Sequence, residues 1–131
     1  MTTGTSSTAL EVGRRLVELC AAGKHRQAIE ELYADDAVAV EAMEGPNGRE
    51  TVGKPAILKM DEWWDQAHDV HAMEIDGPYP HDDRFICFME VDVTAKEGPM
   101  AGQRTTMKEA CHYTVADGRI VRSEFYYGGE C

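Results

Sequence analysis

Apolar residues recur at helical spacing in the first quarter of the chain and at alternating spacing through most of its second half. Val12, Leu16, Leu19 and Cys20 fall on one face of a helix. Thr8-Ala9-Leu10-Glu11 places a capping Thr three residues before a Glu, a start signal for that helix. Gly23 suits its C-terminal stop. Ala28, Ile29, Leu32 and Tyr33 predict a second helix from Arg26 to Tyr33. Asp35-Asp36 then reads as a turn, because Asp side chains bond nearby backbone groups. Ala37 to Ala42 follows as a short strand carrying a carboxylate, Glu41. Gly45-Pro46-Asn47-Gly48 predicts a loop. Pro55 fits the first turn of a third helix with Ile57, Met60 and Trp64 on one face.

Beyond this helix the pattern is that of strands. Val70 to Ile75 is the first, broken by Gly77-Pro78-Tyr79-Pro80. Phe85 to Ala95 is rich in β-formers, and the loop Gly98-Pro99-Met100-Ala101-Gly102 separates it from Arg104 to Val115. Asp117-Gly118 is a two-residue hairpin turn, and Arg119 to Tyr127 is the last strand, ended by Gly128-Gly129. The order is helix, helix, strand, helix and four strands. That order predicts an α+β domain, with a curved antiparallel sheet wrapped around the helices and a ligand cavity at its open end.

Composition narrows the function. The chain of 131 residues fits one domain, with residues 1–7 a polar flexible tail and 8–131 the folded unit. A formal net charge of −11 argues against nucleic acid and anionic membrane surfaces as partners, since both require a basic footprint. No apolar run approaches the ~20 residues that span a bilayer. The four cysteines, Cys20, Cys87, Cys111 and Cys131, form no Cys-x-x-Cys pair. With no signal peptide, free thiols in a reducing cytoplasm are the simplest expectation. No glycine-rich phosphate loop precedes a helix, so no organic cofactor is expected. His68 and His71 have His-x-x-His spacing, but two ligands do not make a zinc site.

Strand alternation gathers the candidate chemistry. If Cys111 faces inward, so do Met107, Glu109 and Tyr113 on the same strand. The same register turns Val121, Ser123, Phe125 and Tyr127 inward on the last strand. These residues make a mostly apolar pocket with a few polar groups, as ligand sites are. Trp64, His71 and Phe88 are further candidates for its wall. On Phe85 to Ala95, either Glu90 with Asp92 or Met89 with Val91 and Val93 faces the cavity, and alternation alone leaves both open. Glu41 would act as a general base if its pKa were raised. Tyr113, Tyr127 or a protonated Glu109 would donate to a developing oxyanion. Each has a simpler role: Glu41 at a strand end beside Glu44, Glu109 paired with Lys108 or Arg104, the tyrosines and Trp64 as core, Cys111 as a small buried hydrophobe.

Three segments carry a family resemblance: Leu32-Tyr33-Ala34-Asp35-Asp36-Ala37-Val38, Val52-Gly53-Lys54-Pro55-Ala56-Ile57 and Asp117-Gly118-Arg119-Ile120-Val121. With the element order they resemble the SnoaL-like, nuclear-transport-factor-2-like (NTF2-like) superfamily over about residues 8–128. The resemblance implies a cone-shaped, cystatin-like α+β barrel, and homodimers are common in such families. The ketosteroid isomerase branch resembles the opening segment most. Its catalytic carboxylate lies eight residues after the aromatic of the Tyr-Ala-Asp-Asp step, which here is Glu41. That branch also uses a tyrosine on the first helix and an acid on the penultimate strand. Leu16 and Cys111 occupy those positions here, so both oxyanion donors depart from the branch. The implied activity is an isomerase or polyketide-cyclase-like proton transfer on a small hydrophobic carbonyl compound. The alternative is a non-catalytic ligand-binding or dimerisation domain of the same fold.

Overall fold

A computed structural model describes residues 8–45 and 48–128. The tail at Met1 to Ser6, the loop positions Pro46 and Asn47, and Gly129 and Cys131 lie outside the described residues. Helix α1 (Ala9–Ala21) opens with the capping box: the Glu11 amide donates to Thr8 Oγ1 at 3.2 Å and the Thr8 amide to Glu11 Oε1 at 3.0 Å. It closes at Gly23, whose φ of +76° lets its amide donate to the Cys20 carbonyl at 3.0 Å, while the Lys24 amide reaches the Leu19 carbonyl at 2.8 Å. Helix α2 (His25–Leu32) follows, then β1 (Tyr33–Gly45), β2 (Gly48–Val52) and α3 (Lys54–Ala67) with Pro55 in its first turn. Four strands complete the chain: β3 (His68–His81), β4 (Arg84–Ala95), β5 (Arg104–Ala116) and β6 (Arg119–Tyr127).

The strands form one six-stranded curved, unclosed sheet in the order β2-β1-β6-β5-β4-β3. All neighbours are antiparallel except β1 and β6, which run parallel. The α+β class therefore holds, with one parallel pair inside a sheet expected to be wholly antiparallel. The helices pack on one side of the sheet. Ala9, Val12, Leu16, Leu19 and Cys20 of α1 meet Phe85, Cys87, Cys111, Tyr113 and Ile120 there in a continuous core. Gly13 lets α1 pack tightly on β3: a Cβ on it would sit 2.6 Å from Pro78 Cβ.

Several local expectations change, most of them through β-bulges. The Asp35-Asp36 step is not a turn after the helix. The chain becomes a strand at Tyr33, and the two Asp residues sit exposed in a register shift between Tyr33 and Val38. Gly77-Pro78 does not end the strand; β3 continues to His81 around a shift between Asp76 and Tyr79 that contains a cis Gly77–Pro78 bond. A shift between Val70 and Ala72 leaves His71 unpaired and exposed instead of on one face with Met73 and Ile75. On β6 the pairs Thr114 with Arg122 and Val115 with Ile120 make Val121 the extra residue, so Ile120 takes the fully buried place expected for Val121. Met60 is exposed on α3, whereas Ile57 is buried and Trp64 is half-buried. The hairpin at Asp117-Gly118 forms as expected, both residues having positive φ.

Candidate functional site

The helix-facing side of the sheet is a set of cross-strand rows. Residues directly opposite one another share a face. The deepest polar row runs Phe85, Tyr113, Ser123 and Ala39. The next runs Cys87, Cys111 and Phe125. The row nearest the strand ends runs Ile75, Met89, Glu109 and Tyr127. Glu41 follows Ala37 and Ala39 by twos on β1 and faces the same side.

Burial decides which of these groups have chemical potential. Glu109 lies mostly out of water among Met89, Met107 and Tyr127, and burial pushes its carboxyl up to about 7, with the Glu41 charge adding to the rise. The neighbouring Cys111 thiol acts weakly in the other sense. Burial also raises Glu41 above the usual carboxylate range. Tyr127 is 41% exposed, and partial burial, then Glu109 and Glu41, push its phenol up to about 12. Glu109 and Tyr127 thus both sense the Glu41 charge, and neither carboxylate has an ion-pair partner among the described residues. The surface pairing of Glu109 with Lys108 or Arg104 does not occur. Lys108 bonds Glu90 at 3.8 Å and Arg104 bonds Asp92 at 2.7 Å, both on the opposite face.

The other candidates are distributed around this group. Met107 and Phe125 are half-buried beside it. Cys111 is fully buried one row deeper, and burial holds its thiol far above the ordinary range, which suits no nucleophile. Tyr113 is deeper still, stacked on Phe85 with centroids 4.8 Å apart and edge-on to Phe125. Ser123 is fully buried and its Oγ makes no hydrogen bond, with the buried Tyr33 phenol close enough to sense it. Leu16 is core, on α1. Trp64 stacks on His68 at 4.4 Å. His71 shares a 2.7 Å hydrogen bond with Thr94 Oγ1 at the surface. Phe88 is 47% exposed and faces away from the helices, because Cys87 and Met89 on either side of it face in. The inward set on β4 is accordingly Cys87, Met89, Val91 and Val93, and Glu90 and Asp92 face out.

Alternation did not single out Ile75 or Met73, which frame Glu109 together with Met89. The signal that fixes them is register: Ile75 opposite Met89, and Met73 opposite Val91. A depression of about 640 Å³ crosses β3, β4, β5 and β6 nearby. It is lined by two outward rows, Glu74-Glu90-Lys108 and Asp76-Phe88-Ala110-Tyr126, with the Glu109 row between them. It therefore opens on the outer face, and Glu41 does not line it. Among the described residues no group of three or more His, Cys, Asp or Glu could hold a metal, and no helix is long and apolar enough to cross a membrane.

Comparison with known proteins places this arrangement. A family model for the SnoaL-like domain matches residues 7–127. A protein from Mesorhizobium loti, assigned to the SnoaL-like polyketide cyclases, is 38% identical, with a TM-score of 0.86 over 92% of this chain and 100% of that one. An NTF2-like protein from Burkholderia thailandensis superposes with a TM-score of 0.77 at 15% identity, over 93% of this chain and 92% of that one. A protein assigned as an isomerase from Bacillus subtilis does so with 0.70 at 19% identity, over 92% and 86%. The last two likenesses concern the fold alone. No curated protein matches.

Proposed function

This chain belongs to the SnoaL-like domain family, and on that premise we propose that it moves a proton on carbon in a small hydrophobic carbonyl compound, as an isomerase or cyclase. The observation that carries the reading is the pair of half-buried carboxyls Glu41 and Glu109, both raised by burial and neither with an ion-pair partner among the described residues. Two such groups divide into a base and an acid when their surroundings separate them. Glu41, raised above the usual carboxylate range by burial, is the base. Glu109, about half protonated near pH 7, donates to the oxygen that gains charge, and Tyr127 is the second donor. Met73, Ile75, Met89 and Phe125 supply the apolar wall that such a compound requires. Tyr113 and Cys111 sit too deep to touch substrate and support the site from beneath.

The mechanism follows from these positions. Glu41 takes the proton next to the carbonyl, and the oxygen gains charge as the enolate forms. Glu109 and Tyr127 hold that oxygen beside half-buried apolar side chains, where a hydrogen bond is worth more than in water. The proton on Glu41 then returns to carbon at another position, or carbon–carbon bond formation consumes the enolate. A panel of hydrophobic ketones and lactones, turned over by wild-type protein and by Glu41→Gln, tests this. Loss of 10²–10⁴ in rate is expected for a general base. Equal turnover by both removes Glu41 from the mechanism, and binding without turnover by the wild type favours a binding domain. The exposed apolar side chains Ile86, Phe88 and Tyr126 on the outer face support a homodimer through that face of the sheet. Sedimentation of wild type and Phe88→Lys at several concentrations checks it, and two concentration-independent monomers would refute it.

A further inference from the structure

The outer face of the sheet changes character along its strands. Residues opposite one another share a face, so the outward side chains of β3 to β6 fall into four successive rows. The first carries His81, Arg84 and Arg122. The second and third carry Tyr79 and Ile86, then Phe88 and Tyr126, all of them exposed. The fourth carries Glu74, Glu90 and Lys108. The face is therefore basic at one end, apolar in the middle and mostly acidic at the other end. His112 and Glu124, 3.1 Å apart, pair with each other inside the apolar band. The ion pairs at the two ends are loose: Arg84 lies 3.6 Å from Asp83, and Glu90 lies 3.8 Å from Lys108. Such exposed pairs are weak and easily exchanged. The acidic end is also concave, since Glu74 and Glu90 line the depression.

We propose that a second copy of this chain docks on this face with its strands reversed, so that Arg84 of each copy meets the partner's Glu90. This rests on the reading of the face as the homodimer contact and adds its geometry. Sheets packed in alignment keep their strands within about 30° of one another. The twofold axis between them then runs either across the strands or along them. An axis along the strands sets each row against its own copy, basic end on basic end and acidic end on acidic end. Like charges facing across an interface are costly. An axis across the strands, between the second and third rows, lays each strand over its own copy in reverse. The first row then faces the fourth: Arg84 meets the partner's Glu90, and His81 meets the partner's Glu74. Ile86 meets the partner's Phe88, so the apolar band is buried against itself. The depression at the acidic end gives the Arg84 side chain room. Basic, apolar and acidic rows in this order are complementary to their own reversed copy and to no unreversed one.

The test is sedimentation equilibrium on the full chain with the two charges reversed singly, together and in mixture, circular dichroism confirming that each variant folds. Arg84→Glu and Glu90→Arg should each weaken dimerisation by about tenfold or more, because every dimer holds the contact twice. The double variant again sets opposite charges face to face and should regain most of the wild-type association. An equimolar mixture of the two single variants should regain it as well, as a heterodimer, since each supplies the charge that the other has lost. Single variants that associate like the wild type overturn the arrangement. So do single variants that weaken association without rescue by the double variant or by the mixture. Phe88→Lys tells this failure from that of the face itself. Dissociation by Phe88→Lys with no response to the charge variants keeps the face and removes the reversed arrangement. Dimers indifferent to Phe88→Lys, or a wild-type chain that stays monomeric, remove both.

Discussion

Glu109 and Asp92 lie on adjacent strands of one sheet, yet their carboxyls behave oppositely. Asp92 faces outward and takes two hydrogen bonds from Arg104, at 2.9 and 2.7 Å, which hold it below the ordinary carboxylate range. Glu109 faces the helices, has no cation, and is pushed up to about 7. The difference is a matter of which way the pleat turns each side chain. A carboxylate on the outer face finds a cation and water. One on the inner face finds two methionines, a phenol, a thiol and a second carboxylate. Surface ion pairs such as Asp92–Arg104 contribute little to stability, and they need no functional explanation. An unpaired carboxyl that folding desolvates has a cost, and a site that uses its proton explains why it is kept.

The sharpest way to break the comparison is through rate. Glu109→Gln and Glu41→Gln should each lower turnover of a carbonyl substrate by about 10²–10⁴, while Asp92→Asn leaves it unchanged. A comparable loss in Asp92→Asn would erase the distinction between the faces. Stability offers the next contrast. Phe85→Ala, on the inner face, should cost about 3–5 kcal/mol in denaturant unfolding, and Phe88→Ala, on the outer face, about 1 kcal/mol or less. Gly13→Ala probes how tightly the inner face is filled. Helix propensity alone favours Ala by about 1 kcal/mol. The contact with Pro78 should reverse the sign and cost about 1–3 kcal/mol.

The smallest effect is the pH dependence. The folded pKa of Glu109 lies above its ordinary 4.5, so between about 4.5 and 7 the folded state binds more protons than the unfolded state. This contribution to stability is present in full below 4.5 and is lost as pH rises through about 7. Glu109→Gln should flatten that slope. Asp92 runs the other way, its lowered pKa favouring the folded state until pH falls through it. An unchanged slope in Glu109→Gln would mean that the carboxyl is as solvated as Asp92.

Much of this was legible before the structure, and the exceptions share a cause. The capping box at Thr8, the stop at Gly23 and the Asp117-Gly118 turn are local signals, set by a few neighbouring residues. The inward set of β5, from Met107 to Tyr113, follows from alternation alone, and with it Glu109. Alternation counts residues, however, and a bulge adds one without leaving a mark in the pattern. That is why His71 and Val121 face elsewhere than counting placed them, and why Gly77-Pro78 read as an ending. Strand β2 escaped for a different reason: Gly48-Arg49-Glu50-Thr51-Val52 is largely exposed at the sheet edge and carries no apolar stripe. Glu41 was legible as a position but not as an environment. Its acidity is set by burial, and its charge acts on Glu109 and Tyr127, which pairing brings from distant strands.

The most direct measurement is a single ¹³C titration that follows the Glu109 and Asp92 carboxyls in one sample. Burial of an unpaired acid predicts a midpoint near 7 for Glu109 and one below 3.8 for Asp92. Two midpoints in the ordinary carboxylate range, with Glu109 below 5, would contradict the division of labour between Glu41 and Glu109.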